Sequence, residues 1–229
     1  MARNKSKRRQ TNPLTQQQRQ SRQPRLTVRG QITQNSMFSG NAPQTSLTTL
    51  STGDAARVFQ LLGSGNDNDA VTQVVKLYQS YKYLPGTTYT YVPAVGVNTP
   101  GTVSIAYITN PEMIVNFRNL ISQTTPDLTT FNNRVRSLAN CKTGPAWQSL
   151  TCSMDPIYRR PRFDVNNGTP VTYPIPDVAA QQVAVNEADR SMQGAFLISI
   201  IGAPASTAIS RDFVHRKVMA YELSPIGET

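Results

Sequence analysis

The first acidic residue of this chain is Asp54. Nine basic residues precede it: Arg3, Lys5, Lys7, Arg8, Arg9, Arg19, Arg22, Arg25 and Arg29. Like charges repel, and residues 1–35 are mostly Gln, Arg, Asn, Ser and Thr, with little apolar surface to offset the entropy of ordering. This segment therefore predicts a disordered basic arm. Of the 23 Lys and Arg residues, 14 remain for residues 54–229, which hold all 13 acids. The body is thus close to neutral, and the formal charge of +10 belongs almost wholly to the arm. The division reads as an arm with its connector, residues 1–53, and a folded body, residues 54–229. Such asymmetry within one chain points to a polyanionic partner.

The body is long enough for one sizeable core. Its pattern is that of short strands. A short strand is expected near Ser46–Leu50. Asp69 can cap a helix carrying Val71, Val74, Val75 and Tyr78 at helical spacing. Tyr81, Tyr83, Tyr89 and Tyr91 then alternate with polar residues, the period of a half-buried strand. Val103–Ile108 is rich in β-branched and aromatic residues and predicts a further strand. Pro111 suits the first turn of a helix bearing Met113, Ile114, Phe117, Leu120 and Ile121. Strands are expected again at Trp147–Met154, Phe196–Ile201 and Val214–Leu223, with proline-rich loops over residues 155–190. About eight short strands with a few short helices and no repeat predict an all-β fold. We read it as an eight-stranded antiparallel jelly-roll β-sandwich, preceded by the disordered arm.

Catalytic chemistry finds few candidates. The only histidine is His215, which reads as a partly exposed strand residue. No Gly-x-Ser-x-Gly elbow and no phosphate-cradling Gly-Lys-Ser/Thr loop occurs. Cys141 and Cys152 lack zinc-site spacing and read as packing thiols. The longest apolar stretch, Ala195–Ala205, is interrupted by Ser199, Gly202 and Pro204 and is far short of the roughly 20 residues that span a bilayer. No secretory signal is visible, so a non-enzymatic protein of a reducing compartment without membrane attachment is expected.

The arm itself favours phosphate. Seven of its nine charges are Arg, whose planar guanidinium matches phosphate oxygens bidentately. No aromatic residue precedes Phe38, so base stacking by Phe, Tyr or Trp has no contributor. The expectation is phosphate-driven, largely sequence-independent binding to nucleic acid. Nine contacts would give a log–log salt slope of about −6. Arg159, Arg160 and Arg162 form a second basic patch next to Pro156 and Pro161, facing either nucleic acid, a neighbouring subunit or solvent. Deleting residues 1–29 is expected to leave the body folded.

The body also carries motifs in a recognisable order. Tyr78, Tyr81 and Tyr83 close a helix and enter a strand; Tyr89-Thr-Tyr-Val-Pro93 ends one. Thr99-Pro-Gly101 leads into a strand ending Ala106-Tyr107. Gly144-Pro-Ala-Trp147 precedes a middle strand, and Met219-Ala-Tyr-Glu-Leu-Ser-Pro225 completes the last. Over residues 70–155 and 195–225 this resembles the coat proteins of small icosahedral positive-strand RNA plant viruses. It is most similar to the sobemovirus type, with a tombusvirus-like shell domain and no protruding domain after Leu223.

The resemblance implies a capsid protein that self-assembles into an icosahedral shell of T=3 type around genomic RNA. Its location would be the virion, with assembly in the host cytoplasm. It also implies calcium between subunits. In the family two Asp residues follow the Ala-Phe/Tyr strand; here Asn110 and Met113 stand in their places, leaving Asn110 and Glu112 as the oxygen donors. The alternative is a non-capsid RNA-binding protein, an RNA chaperone or silencing suppressor, using the same arm.

Overall fold

A computed structural model describes residues 25–34, 48–49, 54–62, 80–123, 125–154, 163–164, 182, 185–186, 188–189, 192–204 and 210–222. The strands are β1 (Arg25–Gln34), β2 (Thr48–Thr49), β3 (Ala55–Leu62), β4 (Ser80–Tyr83), β5 (Thr88–Pro93), β6 (Thr102–Ile108), β7 (Lys142–Pro145), β8 (Leu150–Ser153), β9 (Phe163–Asp164), β10 (Met192–Ile201) and β11 (Ser210–Glu222). Two helices, α1 (Pro111–Ser122) and α2 (Leu128–Arg136), connect β6 to β7. Apart from β1 and the two-residue β2 and β9, eight strands of four residues or more build the body, as the sequence pattern predicts.

The strands form two antiparallel sheets. In one, β11 pairs along one edge with β1 and along the other with β5 and then β4. Strands β8 and β9 add outside β5 and β4. The second sheet has the order β2-β3-β10-β6-β7. Most paired strands are distant in the chain, and the connections β3 to β4, β5 to β6, β7 to β8 and β10 to β11 cross between the sheets. This is the jelly-roll connection, made of Greek keys.

The burial pattern explains each sheet. In β4 and β5 the tyrosines at 81, 83, 89 and 91 all enter the inter-sheet core, while the residues between them lie only partly buried on the opposite face. The β6 and β10 sheet is buried on both faces, which explains its continuous apolar runs. Val103, Ile105, Tyr107, Phe196, Ile198 and Ile200 face the opposing sheet. Ala56, Ala106, Ala195 and Leu197 lie beneath the helices, where small residues let α1 and α2 approach.

Both helices start on sequence-encoded caps. Asn110 Oδ1 accepts from the Glu112 and Met113 amides at 2.9 and 3.4 Å, with Pro111 in the first turn. Asp127 Oδ1 accepts from the Thr130 amide at 2.9 Å. Phe117 meets Phe131 edge-on at 5.1 Å, joining the two helices. The Ser199 hydroxyl, on β10, donates to Asn132 Oδ1 at 3.1 Å and fixes α2 to the sheet.

Polar staples join the sheets. Gln193 of β10 accepts from the Tyr83 amide at 2.7 Å and donates to the Tyr83 carbonyl at 2.9 Å. Tyr81 donates to the Leu61 carbonyl at 2.9 Å, and Tyr91 to the Ala146 carbonyl. Both phenols thus bury without losing a hydrogen bond.

Several expectations are corrected. The reading of residues 1–35 as disordered fails over residues 25–34, where β1 pairs with β11 through ten consecutive positions. The alternation Leu26, Val28, Ile32 stands in register with Tyr221, Met219 and His215. That period of two was visible in the sequence and was outweighed by the surrounding charge. Strand β3 and helix α2 were not expected. The strand expected at Trp147–Met154 begins only at Leu150, because Ala146–Gln148 form a turn in which the Gln148 amide donates to the Pro145 carbonyl. The strand expected over Ser46–Leu50 is seen as β2, and the helix expected from Asp69 to Tyr78 lies outside the described residues.

Candidate nucleic-acid interface

Arg3, Lys5, Lys7, Arg8, Arg9, Arg19 and Arg22 lie outside the described residues, as do Arg159, Arg160 and Arg162. Arg25 and Arg29 are on β1, opposite Glu222 and Val218. Backbone pairing therefore divides the nine arm charges. Seven precede the first strand, and two belong to it.

Three further cations escaped the sequence reading. Arg134 and Arg136, in the last turn of α2, and Lys142 of β7 are all exposed. They are the only charged residues between Asp127 and Asp155, and this acid-free interval was the signal available in the sequence. Arg136 Nε donates to Ser104 Oγ at 3.4 Å, and Ser104 Oγ lies 3.0 Å from Thr143 Oγ1. Lys142 Nζ donates to the Thr151 carbonyl at 2.7 Å. The two arginines also complement the negative end of the helix dipole.

The proposed calcium donors have other work. Asn110 Oδ1 already receives two backbone amides, and Glu112 is an exposed carboxylate in the first turn of α1. Calcium takes six to eight oxygens. Among the described residues no three His, Cys, Asp or Glu side chains gather to hold a metal. Among the described residues these two do not make up a calcium site, and most of its oxygens would have to come from elsewhere.

His215 differs from its expected place. It is fully buried, and among the described residues neither ring nitrogen has a hydrogen-bond partner. Phe59 meets it edge-on at 4.7 Å, Tyr83 stacks at 6.0 Å, and Tyr89 and Phe196 lie at 5.8 and 6.2 Å. The β11 alternation of Phe213, His215, Lys217, Met219 and Tyr221 sends it inward, which Arg216 and Lys217 just after it concealed. Burial, then Lys217 and Arg57, hold its pKa well below the usual histidine value. No nucleophile is positioned on its nitrogens among the described residues. Cys152 is buried and its thiol is pushed up to about 11, chiefly by desolvation, so it is inert at neutral pH. Cys141 is half-buried beside Thr143.

The sequence matches no protein-family model, and no curated protein matches it. The fold has many counterparts among solved structures. The chain is similar to the Macrobrachium rosenbergii nodavirus virus-like particle, with 12% identity and a TM-score of 0.58, covering 91% of this chain and 98% of that one. It is similar to the mud crab tombus-like virus, with 11% identity and a TM-score of 0.58, covering 98% and 96%. For cocksfoot mottle virus the identity is 15%, the TM-score 0.53 and the coverage 88% and 97%. Against the T=3 Penaeus vannamei nodavirus it covers 99% of itself and 60% of that longer chain.

Proposed function

We propose that this chain is a structural capsid protein. Its jelly-roll body packs with copies of itself into a closed icosahedral shell, and its basic arm packages single-stranded RNA inside. The observation that carries this is end-to-end agreement of the fold with chains taken from virus particles, two of them matched over almost their whole length. Physical chemistry supports it. A body of balanced charge lets many copies pack without mutual repulsion, while the arm concentrates the cations that phosphates require. No catalytic centre is needed.

The arm reads RNA through its phosphates, with seven cations upstream of β1 as the principal contacts. Arg159, Arg160 and Arg162 belong to the same proposal as a second patch. We place the protein in the virion, with assembly in the host cytoplasm, and the shell in the T=3 class. Calcium at Asn110 and Glu112 would require donors from a neighbouring copy.

Negative-stain microscopy of the purified full-length protein tests the proposal. Uniform spherical particles, with RNA inside that resists nuclease, are expected. A protein that stays monomeric with and without RNA, across pH and salt, refutes the capsid reading and leaves the RNA chaperone or silencing suppressor.

A further inference from the structure

His215 is in an unusual position for a polar residue. It lies on β11, which β1 flanks on one edge and β4 and β5 on the other. Its ring fills the aromatic layer between the sheets, with no hydrogen bond from any described residue to either nitrogen. A buried polar group without a partner is costly, and Phe would fill such a layer without that cost. The charged groups facing it are both cations, which oppose an imidazolium. From β3 comes Arg57, nearly buried with its guanidinium 4.9 Å from the Phe59 ring centre. From β11 itself comes Lys217, also buried. Strands β4 and β5 contribute the phenols of Tyr83 and Tyr89, and β10 contributes Phe196. On β1 the register partner is Ile32. No described carboxylate borders the ring.

We propose that His215 is an acid-sensitive latch: neutral, it completes the layer between the sheets, and protonated it cannot stay there, so the body loosens around β11 as pH falls. The consequence for cargo rests on the capsid reading. β11 holds β1, and β1 follows directly from the basic arm, so a shell entering an acidic compartment would weaken where the RNA-binding segment is anchored.

The direction follows from proton counting. Unfolded histidine titrates near 6.5. The folded pKa lies well below that, for the causes given above. Below 6.5 the unfolded chain binds a proton that the folded chain refuses. The stabilisation is therefore complete above pH 6.5 and is lost as pH falls toward the folded value. The folded-to-unfolded ratio then drops by at most about tenfold per pH unit, with a ceiling of roughly thirtyfold between pH 7.5 and 5.0. Carboxylates such as Asp127, whose pKa is lowered by its bonds to Thr130, titrate mostly below this window.

The test is denaturant unfolding of the full-length protein at pH 7.5 and 5.0, in the wild type and in His215→Phe. The wild type should lose more of its folding ratio than the variant, the difference being at most roughly thirtyfold. Equal pH dependence in both overturns the proposal. Should His215→Phe fail to fold, calorimetric proton uptake on unfolding the wild type at pH 5.5 decides: close to one proton per chain supports the latch, and none overturns it. Because these readouts concern the folded body, they stand whether or not particles form. Particle formation at pH 7.5, scored separately by light scattering, reports on the capsid reading.

Discussion

Gly194→Ala tests the packing of the folded body most directly. Gly194 lies in β10 where pairing with β3 slips between Met192 and Ala195. A Cβ placed there would sit 2.5 Å from Tyr107 Oη, 2.7 Å from Tyr107 Cε2 and 2.6 Å from the Ile108 carbonyl oxygen. The carbonyl is backbone of the adjacent strand β6. The tyrosine ring is buried and packs 5.2 Å from Phe196, so it has no open space to swing into. Relief requires a shift of strand against strand. Overpacking costs about 1–3 kcal/mol, and contact with backbone puts this site at the upper end. In a domain of this size 1 kcal/mol moves the melting temperature by about 2–4 °C, so a drop of roughly 6–12 °C is expected. Gly96→Ala is the control, because a Cβ there meets nothing within 4 Å. It should stay within about 2 °C of the parent. Circular dichroism melting of both variants under one buffer and concentration decides it. A Gly194→Ala protein that melts with the Gly96→Ala control would refute the packing described for β6 and β10.

Two other outcomes follow from the placement of charges and caps. RNA filter binding of the full-length protein should give a log–log salt slope of about −5, for seven contacts upstream of β1. Arg25→Gln with Arg29→Gln should then change that slope by less than about 1; a slope near zero would refute phosphate-driven binding. Asn110→Ala should lower stability by about 1 kcal/mol through loss of the α1 cap, whereas Asn110→Asp retains it. A melting temperature that falls on adding chelator in the wild type, but not in Glu112→Gln, would instead place calcium at this turn.

Much of the body was legible because its signals are local. The tyrosines at 81, 83, 89 and 91 have the strand period and go to the core together. Pro111, with Ile114 and Phe117, announced α1. What stayed hidden depended on neighbours remote in sequence. Residues Ala55–Leu62 carry Arg57 at an inward position, a polar interruption tolerated only once the opposing sheet surrounds it. His215 lies between Val214 and Arg216, and only the alternation of the complete β11 shows that it faces the core. Helix α2 was legible in principle from Asp127 followed by Leu128, Phe131 and Val135, yet its mean hydropathy is low and its exposed face is polar. The arm-side boundary was missed for the opposite reason: charge is a segment-wide signal and masked the short alternation in β1.

The pairing of β1 changes where the arm can be cut. Removing residues 1–29, the boundary suggested by charge alone, would take half of a strand whose ten positions pair with β11. Removing residues 1–24 leaves every one of those pairs in place. The first truncation should therefore expose part of one edge of the longest strand of the body, from Val218 to Glu222, and unpaired backbone of that kind recruits other strands. The second should keep the parent's melting temperature within about 2 °C while losing most RNA binding at physiological salt. Melting and light scattering on the two truncations separate the cases. If removal of residues 1–29 proves as stable and as monodisperse as removal of residues 1–24, then β1 is dispensable to the sheet, and the nine charges return to a single uninterrupted arm.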